Sequence, residues 1–331
     1  MDSRTKNRQP AAVIEAMIAA AYGDSEVPAR ADSIAELERG WFNAVYAVRL
    51  RSARRVVLKI GPSPRTPVLT YERRMLSNEL AALDVIARST DVPVPAVEFA
   101  DTSGAVIDAP WFFMTRIEGE NLGALLDGGA VPEPEAEALL REIGATNRAL
   151  NAIEGPAFGY LTGPAFPTWR EAFSAMIADL LADADGARVD LGLSGERIQG
   201  VVAAHAGSLD AVRRPRLVEW DLWPGNAIVD GGRITGIVDH ERALWGDPLM
   251  EAGFLGSAVP IYPGGGAFLR GYGDAGFGVD ASTRRLLYSL HLVLIMIIEP
   301  AFRGLQDVGQ APWSRGRLAA IVERLENSGR Q

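Results

Sequence analysis

Asp221, Asn226 and Asp239 supply oxygen-bearing side chains within one short stretch, Leu217 to Asp239. After Asn226 come the apolar run Ala227-Ile228-Val229, then Asp230-Gly231-Gly232, then the run Ile234 to Val238. Asp-Gly-Gly between two such β-branched runs predicts a hairpin. Folding the chain there brings Asn226 and Asp239 to one open end, with Asp221 on the loop just before it. Two carboxylates and an amide oxygen converging in this way suit Mg²⁺, a hard cation that takes few protein ligands and fills its shell with water and phosphate oxygens. Taken singly, an Asp or Asn in a loop is usually a turn former or a helix cap. The chemistry depends on what accompanies the trio upstream.

Upstream lie Lys59 and Glu79. Lys59 sits inside the strand-like run Arg55-Val56-Val57-Leu58-Lys59-Ile60, where a lysine is normally a solvated edge charge. Glu79 falls on the apolar helical stripe of Met75, Ala82 and Ile86. A carboxylate facing a core is costly unless paired. The expected resolution is a Lys59–Glu79 pair between sheet and helix. Such a pair would present a cation to a cleft where a nucleotide triphosphate needs compensation.

The elements that must hold these groups are legible. Tyr46, Val48 and Leu50 alternate with Ala47, Arg49 and Arg51, and a polar turn at Arg51 to Arg54 leads to the Lys59 strand, which predicts a hairpin. A helix is expected over Thr70 to Arg88, ended by Val92-Pro93-Val94-Pro95. Strands follow near Ala96 to Phe99 and Trp111 to Ile117. Beyond Gly119 the spacing turns helical, over Pro134 to Leu150, from Thr168 onward, and over Arg284 to Glu299 and Arg315 to Asn327. The expected fold is α+β with two lobes. Residues 1–117 would form a sheet-plus-helix nucleotide lobe, and 118–331 a mainly helical lobe carrying the catalytic hairpin and the acceptor site. Clefts between lobes favour ligands.

Composition narrows the classes. The 331 residues are 48% hydrophobic and 23% charged, ordinary for a soluble globular chain. A net charge of −9 is a poor match to nucleic acid, whose binding relies on neutralising phosphates. With no cysteine there is no disulfide, thiol nucleophile or thiolate zinc site, and the three histidines lie far apart. Arg4, Lys6 and Arg8 before an alanine-rich stretch imitate a secretory signal, but Glu15 interrupts it, and Val13, Met17 and Ala20, with Ile14, Ile18 and Ala21, recur as on an amphipathic helix. Leu286 to Ile298 is shorter than the roughly 18–20 residues a membrane span needs and contains Tyr288, Ser289 and His291, so a core helix is expected. No membrane association and a cytoplasmic location are expected.

In order, the pieces are Gly40-Trp41-Phe42-Asn43, Val56-Val57-Leu58-Lys59, Glu79 in Asn-Glu-Leu-Ala-Ala-Leu, and Val92-Pro93-Val94-Pro95. Phe113 to Gly119, Asp221 to Asn226, Ile237-Val238-Asp239 and Gly246-Asp247-Pro248 follow. This set resembles the aminoglycoside phosphotransferase family, small-molecule kinases of protein-kinase-like fold, over most of the chain. The resemblance implies transfer of the γ-phosphoryl group of ATP or GTP to a small-molecule hydroxyl, for instance on an antibiotic such as an aminoglycoside or macrolide. By that likeness Asp221 orients and deprotonates the acceptor, and Asn226 and Asp239 hold Mg²⁺. Lys59, fixed by Glu79, contacts the α- and β-phosphates, and Asn43 lies on the nucleotide-positioning loop. Val57 presses on the adenine, whose edge is read by the Thr115 carbonyl and the Ile117 amide.

Two departures stand out. Glu219 and Trp220 occupy the places of the family's His and Gly in the loop His-x-Asp-x-x-x-x-Asn, and a carboxylate there needs a new donor. The nucleotide loop keeps only Gly40, which argues against a protein kinase. An alternative reading is a nucleotide-binding pseudokinase with a regulatory role, motivated by Glu219; another is a metabolite kinase of the same fold. For the acceptor, the segment Thr168 to Leu191 offers Glu171, Asp179, Asp183, Asp185 and Asp190. These acids would suit a cationic aminoglycoside, or form a solvated helix face.

Overall fold

A computed structural model describes residues 3–38, 40–255, 265–273, 281–305 and 310–328. The chain opens with helix α1 (Ala11–Tyr22), followed by strands β1 (Ile34–Glu36), β2 (Ala44–Arg49) and β3 (Arg55–Ile60). Helix α2 (Met75–Ser89) precedes β4 (Val97–Asp101) and β5 (Trp111–Thr115). These strands form one antiparallel sheet in the order β1-β2-β3-β5-β4. Strand alternation gives the sheet two apolar faces. Tyr46, Val48, Val56, Leu58, Ile60, Trp111 and Phe113 pack with Ile14, Met17 and Ile18 of α1. On the other face Val57, Phe112 and Met114 pack with Leu76 and Leu83 of α2.

The expected helix over Thr70 to Arg88 is divided. Thr70–Arg74 is a 3₁₀ turn, and α2 starts at Met75. A long-range contact and a local cap hold this turn. Asp183 accepts from the Thr70 amide at 2.7 Å and from its hydroxyl at 2.8 Å, and the Glu72 carboxylate accepts from the Leu69 amide at 3.0 Å.

The second half contains β6 (Glu120–Asn121), α3 (Leu122–Asp127), α4 (Glu133–Leu150), β7 (Gly159–Tyr160), α5 (Trp169–Gly186) and α6 (Gly195–His205). Then come β8 (Arg216–Val218), β9 (Ala227–Asp230), β10 (Arg233–Ile237) and β11 (Leu244–Gly246). Helices α7 (Ala252–Leu255), α8 (Gly265–Tyr272), α9 (Ala281–Arg303) and α10 (Gln310–Ser328) complete it. Two small antiparallel sheets, β10-β9-β6 and β7-β11-β8, carry the loops of interest. Among the described residues α9 alone is long and apolar enough to cross a membrane, yet Leu287, Tyr288, Leu290, Val293, Leu294 and Ile298 are fully buried inside the fold. It is a core helix, as its polar interruptions predict.

Candidate active site

Lys59 is held by strand register. It lies between Val45 on β2 and Phe112 on β5, on the sheet face that also carries Val57. Its ammonium is buried and meets three carboxylates: Glu79 of α2 at 2.6 Å, Asp239 at 2.6 Å and Glu241 at 3.0 Å. The expected Lys59–Glu79 pair therefore forms, and two further acids join it. Burial alone would discharge the lysine; Asp239, Glu241 and Glu79 instead hold its pKa well above the ordinary range. Burial and the neighbouring acids push the Glu241 carboxyl up to about 8, and Lys59 opposes the rise.

The loop after β8 is built from buried carboxylates. Glu251 accepts from the backbone amides of Glu219 at 2.8 Å and Trp220 at 3.0 Å. Asn151 donates to Glu251 at 3.0 Å and to the Leu217 carbonyl at 2.6 Å. Glu219 finds its donor in His240, whose Nδ1 lies 2.8 Å from Oε2; Nε2 lies 3.1 Å from the Ile237 carbonyl. A carbonyl only accepts, so Nε2 carries a proton, and with Glu219 ionised both ring nitrogens donate. This matches a His240 pKa that Glu219 raises against the opposing effect of burial. Trp220 adopts φ +63°, the left-handed conformation that glycine takes freely and a bulky residue takes only under constraint. Its ring is anchored, with the Arg242 guanidinium 4.9 Å from its centroid and His291 edge-on at 5.6 Å.

The expected hairpin is β9–β10. Gly231 and Gly232 both have positive φ, 57° and 74°, as a two-residue turn of this hand requires. At its open end the Val238 amide donates to the Asn226 carbonyl at 2.9 Å, and Asn226 Nδ2 donates to the Asp221 carbonyl at 2.9 Å. These bonds tie the loop of Asp221 to the strand leading into Asp239. They orient Asn226 and leave its Oδ1 without a hydrogen bond among the described residues. Asp239 also has positive φ, 70°. Asn226 Oδ1 and Asp239 are hard oxygen donors beside a cleft, which fits Mg²⁺. Glu79, Asp239 and Glu241 also place carboxylate oxygens within 4.8 Å of one another, but Lys59 already occupies that cluster.

Desolvation pushes the Asp221 carboxyl up to about 6; Arg242 opposes the shift and Asp239 adds to it. Arg242 pairs with Glu299 at 3.0 Å. The remaining expected residues lie on or beside the N-terminal sheet. Asn43 is buried and donates to Glu241 Oε2 at 2.5 Å. Val57 is paired with Met114 on the cleft-side face. Thr115 ends β5, its amide donating to the Ala96 carbonyl at 2.9 Å. Ile117 lies against Gly236, where a Cβ would come within 2.1 Å of Ile117 Cδ1.

Sequence reasoning missed His240, Glu241, Arg242 and Glu251. The available signal was the unbroken ionisable run Asp239-His240-Glu241-Arg242 just after the hairpin. The acids of α5 read differently in three dimensions. Asp183 is engaged with Thr70, while Glu171, Asp179 and Asp185 are exposed. Trp169 and Phe173 are fully buried core.

A family model described as the phosphotransferase enzyme family (APH) matches residues 33–287. The chain belongs to that family. Its solved neighbours share this two-part kinase-like fold. A thermostable mutant of aminoglycoside phosphotransferase APH(4)-Ia, in ternary complex with ADP and hygromycin B, superposes with TM-score 0.67 at 20% identity, covering 94% of this chain and 98% of that one. The streptomycin–ATP–APH(2″)-IIa ternary complex gives TM-score 0.60 at 15% identity, over 95% and 97% of the two chains. At these identities the likeness is one of fold. A subtelomeric hrmA-associated cluster protein of Aspergillus fumigatus is 28% identical over 129 residues, 39% of this chain and 24% of that protein. The chain thus spans about a quarter of the length of the curated relatives it matches.

Proposed function

We propose that this phosphotransferase moves the γ-phosphoryl group of ATP to a hydroxyl of a small molecule, with Asp221 as the base. The acceptor oxygen bonds to the γ-phosphorus, the bond to the β–γ bridging oxygen breaks, ADP leaves, and the acceptor proton passes to Asp221. Asn226 and Asp239 would hold Mg²⁺, which supplies charge neutralisation to the phosphates when bound. Lys59, fixed by Glu79, serves the α- and β-phosphates. Val57 covers the adenine, the Thr115 carbonyl and Ile117 amide read its edge, and Asn43 sets the nucleotide loop. ATP use accords with a cytoplasmic location and with a nucleotide lobe ending near residue 117.

The observation that carries this reading is the buried Lys59 ammonium, bridging Glu79 of the sheet lobe and Asp239 of the hairpin. The His240 donor to Glu219 Oε2 favours an active enzyme over a pseudokinase, because it anchors the altered loop to the segment after the hairpin. Solved neighbours hold hygromycin B or streptomycin, which supports a polyhydroxylated acceptor. Asp183 is committed to Thr70, while Glu171, Asp179 and Asp185 stay exposed to a cationic acceptor. The test is acceptor-dependent ADP release from Mg²⁺-ATP across a panel of antibiotics and hydroxylated metabolites. Asp221→Ala is expected to lower kcat about 10²- to 10⁴-fold with nucleotide affinity retained. Turnover unchanged in that variant would overturn the assignment of the base.

A further inference from the structure

A concavity of about 630 Å³ runs along the end of the N-terminal sheet, lined by Arg30, Arg49, Arg51, Arg55 and Arg116 with Asp32. In a chain of net charge −9, this concentration of one sign is a sharp local reversal. Register explains its geometry. Arg49 of β2 stands directly opposite Arg55 of β3, and Arg116 lies one residue beyond the Val56–Thr115 pair, in the row of Arg55. Alternation puts Arg49 and Arg55 on the face that carries Val57 and Lys59. Like charges directly opposite across two strands destabilise a sheet, and these exposed side chains pack no core that would compensate.

Local carboxylates answer only part of this charge. Arg30 is paired with Asp32 at 2.7 Å and Arg55 with Glu118 at 2.9 Å, while Arg51 donates to the Val27 carbonyl at 2.9 Å. Arg49 and Arg116 make no hydrogen bond or ion pair among the described residues. The groove adjoins the adenine end of the proposed nucleotide site, Ala47 of its lining standing opposite Val57, and is displaced along the strand from Lys59. Four residues of strand between Lys59 and Arg55 amount to about 13 Å.

We propose that this groove is a second anion site, which takes a small phosphate-bearing molecule with two or more negative charges. Guanidinium forks match phosphate oxygens in pairs, and the volume is that of a small-molecule pocket. An acidic chain with one such groove fits a small anion better than a nucleic acid.

The experiment is calorimetric titration of the full chain with inorganic tripolyphosphate in about 0.15 M salt, where weak surface attraction is largely screened. Wild type, Arg49→Glu/Arg116→Glu and Lys59→Met are compared. Groove binding is expected to weaken at least tenfold in the arginine variant and to persist in Lys59→Met. Arg49→Glu faces Arg55, so its Tm without ligand is expected to equal or exceed that of wild type, a direct check that it folds. Tripolyphosphate binding that survives in the arginine variant, or that disappears only in Lys59→Met, would overturn the site. Citrate bound as tightly as tripolyphosphate would overturn the assignment to phosphate.

Discussion

Asp221 illustrates how one side chain's chemistry is set by its surroundings. Desolvation carries its carboxyl up to about 6, and Arg242 restrains the rise. A base works only when deprotonated, so kcat/KM is expected to fall as pH drops through about 6. Arg242→Met removes the restraining cation, and a pH–rate profile should place that acid limb at higher pH. An unmoved limb would mean that Arg242 does not act on the base. Glu219 and His240 form a second residue-scale unit, buried and 2.8 Å apart. His240→Asn strands a buried carboxylate, which typically costs about 3–5 kcal/mol. Glu219→Gln in the same chain should recover part of that loss. A double-mutant cycle in urea is expected to give a coupling of about 0.5–3 kcal/mol, and additive losses would sink the pairing.

At the scale of elements, the hairpins and the main helices follow from local pattern, because alternation and Asp-Gly-Gly act over a few residues. The division of Thr70 to Arg88 does not, since Asp183, 113 positions away, binds its Thr70 end. Gly236 shows how elements constrain one another. It sits at the irregular step of β10, and Ile117 occupies the space a side chain would need. Gly236→Ala should displace Ile117, lower stability by about 1–3 kcal/mol as overpacking does, and raise the KM for ATP more than it changes kcat. Steady-state kinetics that show only a kcat loss would contradict a nucleotide role for Ile117.

Across the whole molecule, one buried chain of charges links the halves. Arg303 of α9 pairs with Glu72 of the 3₁₀ turn at 3.0 Å and with Glu299 at 2.6 Å, and Glu299 in turn pairs with Arg242. The Arg303 guanidinium also lies 4.8 Å from the ring of Phe42, next to Asn43. Arg303→Met leaves the buried Glu72 without its cation. Breaking such a pair is expected to cost about 3–5 kcal/mol, read from urea midpoints, and Glu72→Gln in the same chain should restore a share. A loss below 1 kcal/mol would show that water replaces the arginine there.

Residue types and short-range spacing singled out Lys59, Glu79, Asp221, Asn226 and Asp239 as candidates, because a strand, a helix stripe and a hairpin each fix a side chain's direction within a few residues. What joins Lys59 to Asp239, 180 positions away, or Arg303 to Glu72, 231 away, has no local signature. The third acid on Lys59, the His240 partner of Glu219 and the left-handed Trp220 were therefore decided only by tertiary packing. Burial makes an unpaired charge so costly that the fold must supply each partner from wherever the chain happens to pass.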